Sequence, residues 1–291
     1  MQTTGLSIGI ATLVNMMVLS SMYILVALGF AFLLNILGIL NFAHGAIYMA
    51  GGFICYKLTM GLGLNPWLGM LISVTIVSLF GLFLERYGFR KFYGNLNKTL
   101  IVCIGVITIF QNTANLTEGF TVQAIPSFAP GIIRFGVVSF SLERLVTFLI
   151  GCFLLIVTLW FMKKTKIGLQ MQAVSQDIEG AALQGIHIHR IAGIACVMAC
   201  GLAAIAGCLM GAYLNVNAYM GDYIMLKACV LVILGGVGSI GGIFFAGLLL
   251  GALDAVLPIF ITANIGQAIV LAIVIAILIW RPQGFFGRKE L

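Results

Sequence analysis

An all-α polytopic membrane protein is the fold class this sequence predicts, and three observations carry it. Hydrophobic residues make up 62% of the 291 residues and charged ones only 8%, with a mean hydropathy of +1.18. That leaves too little polar surface to cover a water-soluble globule of this size. The apolar residues fall in repeated runs of roughly 18 or more, each long enough to cross about 30 Å of hydrocarbon as a helix. The runs are also continuous, whereas a transmembrane β-barrel alternates apolar and polar residues in strands of about ten.

The positive charges order these runs. Four Lys/Arg lie in residues 85–98, four in 163–190 and three in 281–291. Short basic loops stay inside, so all three segments are expected in the cytoplasm. The run at 7–34 has no basic residue before it and exceeds a signal-peptide core. It is expected to be retained as a first helix, with the amino terminus outside. Runs at 46–60 and 66–84 then cross outward and inward. Residues 99–114 leave the first basic loop and 145–162 enter the second, which makes 115–144 an external loop. Residues 191–213 leave again, and 266–280 must return to reach the basic tail, so parity requires 227–260 to begin and end outside. That stretch is interrupted by GGVGSIGG at 235–242, where glycine costs about 1 kcal/mol relative to alanine inside a helix. Two half-helices meeting at a glycine turn within the membrane satisfy the count. The expected architecture is about eight transmembrane segments in a single membrane domain over 1–291, with glycine-broken half-helices near a substrate path and a cytoplasmic loop at about 163–190.

A second break is NFAHG at 41–45, between the first two runs. A polar, helix-breaking joint at membrane depth is tolerated only where it is buried in protein or lines a cavity. Interrupted segments in both halves of a transporter point to its substrate path. Asn41, His44, Gly45 and Tyr48 from the first break, and Gly235, Gly236, Gly238 and Ser239 from the second, are therefore the candidate path residues. His44 has three readings: proton relay, path-lining ligand, or buried histidine bonded to a neighbouring carbonyl. Acid–base catalysis fits it less well, because no carboxylate lies near it in sequence. Asp254 joins the path candidates as an acid within a membrane segment, where charge is costly. A solvated place near the external end of its helix is the alternative.

Other chemistries find no support. Gly236-x-Gly238-x-x-Gly241 matches a dinucleotide fingerprint only by letters, since no βαβ unit or following acid accompanies it. No phosphate-binding G-x-x-x-x-G-K-[ST] occurs, so the chain is expected to bind no nucleotide cofactor and to hydrolyse no ATP itself. Cys55, Cys103, Cys152, Cys196, Cys200, Cys208 and Cys229 all fall in apolar segments without a CxxC pair, and are read as packing residues rather than metal ligands or disulfides. The net charge of +7 is accounted for by topology, so no nucleic-acid partner is expected. Residues 165–186, TKIGLQMQAVSQDIEGAALQGI, carry Ala173, Asp177, Ala181 and Gly185 at a spacing of four. That makes a narrow small-residue stripe suited to close approach by another protein. An amphipathic connector lying on the membrane is the alternative.

Four blocks resemble one family, the Liv-type permease subunits of ABC importers for branched-chain amino acids. GILNFAHGAIYMAGGF at 38–53 is similar to the family's N-[FM]-A-H-G segment, and LGGVGSIGGIFFAGLLLG at 234–251 to its L-G-G-x-G-S-x-x-G block. The 165–186 loop resembles the segment that contacts the ATPases, and WRPQGFFG at 280–287 resembles the family's ending. The blocks come in family order and span almost the whole chain. Gln172 stands where relatives usually carry arginine, and with Gln170 makes this loop less basic. Asp254 falls where relatives often place a glutamate. The resemblance implies that Gly168, Ala173, Asp177, Glu179 and Gly185 belong to the coupling segment. It further implies ATP-driven import across the bacterial inner membrane by alternating access, with a related second permease, two cytoplasmic ATPases that use ATP, and a periplasmic binding protein. Membrane lipid surrounds the whole. Leucine, isoleucine and valine are the expected substrates; urea, amides and other amino acids are the alternatives within the same architecture. An ion-coupled secondary transporter also uses broken helices and intramembrane acids, but leaves the 165–186 loop without a purpose. An intramembrane enzyme would need several titratable groups to converge at membrane depth.

Overall fold

The computed structural model describes residues 2–119, 121–135, 138–281 and 283–286. Met1 and, in the WRPQGFFG ending, Pro282 and Gly287 lie outside the described residues. The helices are α1 (Gln2–Leu37), α2 (His44–Tyr56), α3 (Pro66–Phe83), α4 (Leu96–Glu118), α5 (Leu142–Lys164), α6 (Lys166–Gln176), α7 (Ile178–Leu183), α8 (Ile188–Leu214), α9 (Met220–Gly235), α10 (Ile240–Phe260) and α11 (Ala263–Trp280). Helices occupy all the runs expected to cross, and capping side chains start several of them. Asn65 accepts from the Trp67 N–H at 2.9 Å with Pro66 in the first position, and Ser239 accepts from the Gly242 N–H at 3.1 Å.

Among the described residues, six helical stretches are long and apolar enough to span a membrane: Gly9–Leu37, Pro66–Phe92, Leu96–Glu118, Leu142–Lys164, Ile188–Leu214 and Ile240–Phe260. Ile265–Trp280 is a shorter apolar helix. Of the pair expected as half-helices over 227–260, only one is short. α9 starts earlier, at Met220, and has 16 residues, whereas α10 has 21 and is long enough to cross alone. The loop between α4 and α5 also holds an antiparallel hairpin, Ile132–Phe135 with Val138–Ser141, which apolar-run analysis does not anticipate.

Two helices form the centre. In α1, 89% of the apolar window is buried and in α8 78%, against 17% in α4. α1 is apolar on every side because other helices surround it; it packs on α5, α8, α9 and α10. α8 packs on α2 and α3 through small residues, including Ala204 and Gly207. A Cβ on Gly207 would stand 2.0 Å from the Tyr48 carbonyl oxygen, so the backbones of α2 and α8 touch, as small residues permit in membranes.

The described residues of the three basic segments gather at one face. Tyr93 stacks on His189 with ring centroids 6.1 Å apart, joining the segment before α4 to the start of α8. Phe285 after α11 donates its N–H to the Leu234 carbonyl at 2.7 Å. At the opposite face Trp67 donates Nε1–H to the Phe128 carbonyl at 3.0 Å, and Gln123 pairs with Val216.

Candidate functional site

The first break lies inside the bundle. Gly38, at φ +64°, ends α1, and its N–H bonds the Leu34 carbonyl at 2.9 Å. The chain then folds back, satisfying its backbone locally through bonds such as His44 N–H to the Asn41 carbonyl at 3.1 Å. The His44 ring, fully buried, sits with Nε2 3.2 Å from the Val26 carbonyl oxygen. Val26 precedes Leu37, the last residue of α1, by 11 residues. At 1.5 Å per residue, His44 thus lies about 16 Å from that helix end. The ring fits a notch in α1 where Gly29 lacks a side chain: a Cβ there would stand 3.0 Å from His44 Nε2. Asn41 is also fully buried, and its Oδ1 accepts from the Cys103 thiol at 3.5 Å. Gly45 meets Gly221 of α9 backbone to backbone, a Cβ on Gly45 falling 2.3 Å from the Gly221 oxygen.

Asp254 is held inside the bundle by three groups. Lys227 Nζ lies 2.9 Å from Oδ1, while the hydroxyls of Tyr23 and Tyr223 donate to Oδ2 at 2.7 and 3.2 Å. Only 3% of the Lys227 side chain and 9% of that of Asp254 are exposed, so the helix-end reading of a solvated acid gives way to a buried ion pair between α9 and α10. Two cavities adjoin it. One of about 250 Å³ is lined by Asp254, Tyr23, Tyr223 and the apolar side chains Leu19, Leu257 and Pro258. The other, about 280 Å³, shares Tyr23 and Tyr223 and includes Tyr48. Tyr48 and Asp254 thus come together around a shared tyrosine wall. His44 lines neither cavity.

The second break is elsewhere. Gly235 and Gly242 pack backbone to backbone, a Cβ on Gly242 falling 1.8 Å from the Gly235 oxygen. Gly236 and Gly238 turn the chain at φ +94° and +87°. This turn abuts Phe285 and Phe286 of the tail. A cavity of about 340 Å³ lies between Val237 and Gly238 on one side and Met171, Gln172 and Ser175 of α6 on the other. The glycine turn therefore belongs to the basic face, away from His44. Gly235, Gly236, Gly238 and Ser239 do not meet Tyr48 and Asp254.

The loop expected to contact another protein is two helices, not one. Asp177, in extended backbone at φ −154° and ψ 107°, separates α6 from α7, so the stripe of four small residues does not lie on one helical face. Ala181 turns inward and is buried, and Ala173 is half-buried; Asp177, Glu179 and Gly185 are exposed. Gly168 is needed where α6 doubles back on α5, since a Cβ there would be 2.3 Å from the Phe161 oxygen. Gln172 donates Nε2–H to the Met162 carbonyl at 2.5 Å and so closes the end of α5. The exposed surface of these two helices carries large apolar residues, Leu169, Ile178 and Leu183 at 53, 47 and 87% exposure. Exposed Asp177 and Glu179 lie on the same short segment.

Lys227, Tyr23 and Tyr223 are site residues that the sequence reading missed. Lys227 was nevertheless visible as the sole Lys or Arg between Arg190 and Arg281. Among the described residues no three His, Cys, Asp or Glu side chains group as metal ligands.

A helical membrane bundle with a polar joint folded into its interior and a buried ion pair beside two small cavities has the make-up of a transport protein. The chain belongs to the family described as branched-chain amino acid transport system permease components, whose model matches residues 12–278. It is 31% identical to the high-affinity branched-chain amino acid transport system permease protein BraD of Pseudomonas aeruginosa over 96% of this chain and 95% of that one. It is 30% identical to the corresponding LivH of Salmonella typhimurium over 95% and 94%. The solved PsaBC from Streptococcus pneumoniae in complex with Fab has a similar fold, with a TM-score of 0.52 at 15% identity over 96% of this chain and 93% of that one.

Proposed function

We propose that the protein is the permease subunit of an ATP-driven importer for leucine, isoleucine and valine, working by alternating access in the bacterial inner membrane. The observation that supports this most is the match to two relatives named for branched-chain amino acid transport over almost the full length of each chain. The whole chain acts as one permease domain, with the basic face cytoplasmic and the amino terminus outside. It binds no cofactor and hydrolyses no ATP. Two ABC ATPases dock on α6 and α7, where Gly168, Ala173, Asp177, Glu179 and Gly185 shape the segment. A second, related permease completes the path, and a periplasmic binding protein delivers substrate. Asn41, His44 and Gly45 position α2 so that Tyr48 faces the cavity of about 280 Å³ whose tyrosine wall, Tyr23 and Tyr223, also holds Asp254.

Affinity purification of the tagged protein from its native membrane in mild detergent tests this. Two ATPases and a second permease in stoichiometric amounts are the expected result. A protein that purifies alone and transports alone under an ion gradient would overturn it.

A further inference from the structure

Lys227 and Asp254 form an ion pair at 2.9 Å inside the bundle, where an unpaired charge is costly. Asp254 Oδ2 already accepts two tyrosine hydroxyls and Oδ1 accepts Lys227, whereas the ammonium uses one of its three donors on Asp254. Beside the pair, the 250 Å³ cavity offers an aliphatic wall of Leu19, Leu257 and Pro258. An α-amino acid with an aliphatic side chain has the matching parts: an ammonium, a carboxylate and an apolar branch.

Resting on the branched-chain amino-acid reading above, we propose that this ion pair is the recognition site for the zwitterionic end of the substrate. The substrate ammonium takes the place of Lys227 on Asp254, braced by Tyr23 and Tyr223, and the freed Lys227 takes the substrate carboxylate. Every buried charge then stays paired throughout the exchange. A simple amine or a simple acid would leave Lys227 or Asp254 without its counterion, and such an uncompensated buried charge is strongly unfavourable. The pair thereby selects for zwitterions independently of side-chain fit. The exchange also replaces the direct Lys227–Asp254 tie between α9 and α10 with one through the substrate, while Tyr223 keeps its bond to Asp254; the common turn of these helices at Gly236–Ser239 lies against α6. Substrate occupancy is thus felt at the segment proposed to meet the ATPases.

The test uses the complete importer in detergent and in proteoliposomes. Replacing both charges at once, Lys227→Met with Asp254→Asn, avoids leaving one charge unpaired. Leucine at millimolar concentration should raise the melting temperature of the wild-type membrane assembly without binding protein, and this rise should vanish in the double variant. Leucine uptake per assembled complex should fall by about 100-fold. Retained thermal protection, or uptake within about threefold of wild type, would overturn the proposal. Should the double variant fail to assemble, Tyr23→Phe with Tyr223→Phe keeps the pair and decides the matter. A loss of about tenfold in uptake supports the site, and no change overturns it. A wild-type importer that moves no branched-chain amino acid would instead sink the functional reading on which the proposal rests.

Discussion

The chain turns between membrane helices at 38–43 and again at 236–239, and the two joints behave differently. The first plunges into the bundle: His44 is fully buried against Val26, and Gly45 lies against Gly221. The second stays at the basic face, where Val237 and Gly238 are exposed and the turn meets both α6 and the tail. In the first joint glycine permits backbone contact between helices α2 and α9. In the second, Gly235 and Gly242 close the neck of a hairpin while Gly236 and Gly238 supply left-handed backbone. One joint packs into the bundle interior and the other lies against α6, the segment proposed to meet the ATPases.

That contrast is broken most directly at Gly45. Gly45→Val places a side chain where backbone atoms leave no room, so at least about 3 kcal/mol of stability should be lost. The fraction of protein remaining monodisperse in detergent on heating measures it. Asp177→Lys changes an exposed residue between α6 and α7. It should leave melting unchanged while weakening ATPase association at least about tenfold, read by co-purification. His44→Leu removes the contact to the Val26 carbonyl oxygen and should cost about 1 kcal/mol of thermal stability. Since His44 lines neither cavity beside Asp254, uptake per assembled complex should fall less than on neutralising Asp254 and Lys227. Gly238→Ala should be about as mild as His44→Leu in stability and should leave uptake unchanged: nothing lies within 4 Å of the added Cβ, and only the left-handed φ of +87° resists. About 1 kcal/mol is the expected cost, by the same melting measurement.

The helices were legible because long apolar runs report directly on hydrocarbon. α4, expected at 99–114, is observed over Leu96–Glu118, and α5, expected at 145–162, over Leu142–Lys164. Depth was not legible. Both the polar break at 41–45 and the glycine-rich break at 235–242 signal that a helix stops, because a sequence records the stop and not which neighbours receive it. The stripe at 173–185 failed for a related reason. Its spacing of four assumes an unbroken helix, while Asp177 adopts extended backbone and splits it. Asp254 stood out as an acid in an apolar run, yet its partners come from α1 and α9, up to 231 residues away, and only folding brings Tyr23 to it. The hairpin at 132–141 escaped because apolar-run analysis has no term for short extramembrane strands.

ATP-dependent uptake tests the central claim most directly. The permease pair would be reconstituted with its ATPases and binding protein in vesicles, and radiolabelled leucine followed with and without ATP on the ATPase side. Accumulation that requires ATP, and that is lost in Asp177→Lys despite normal assembly of the permease pair, is the predicted result. Accumulation driven by an ion gradient in vesicles lacking the ATPases would contradict the account.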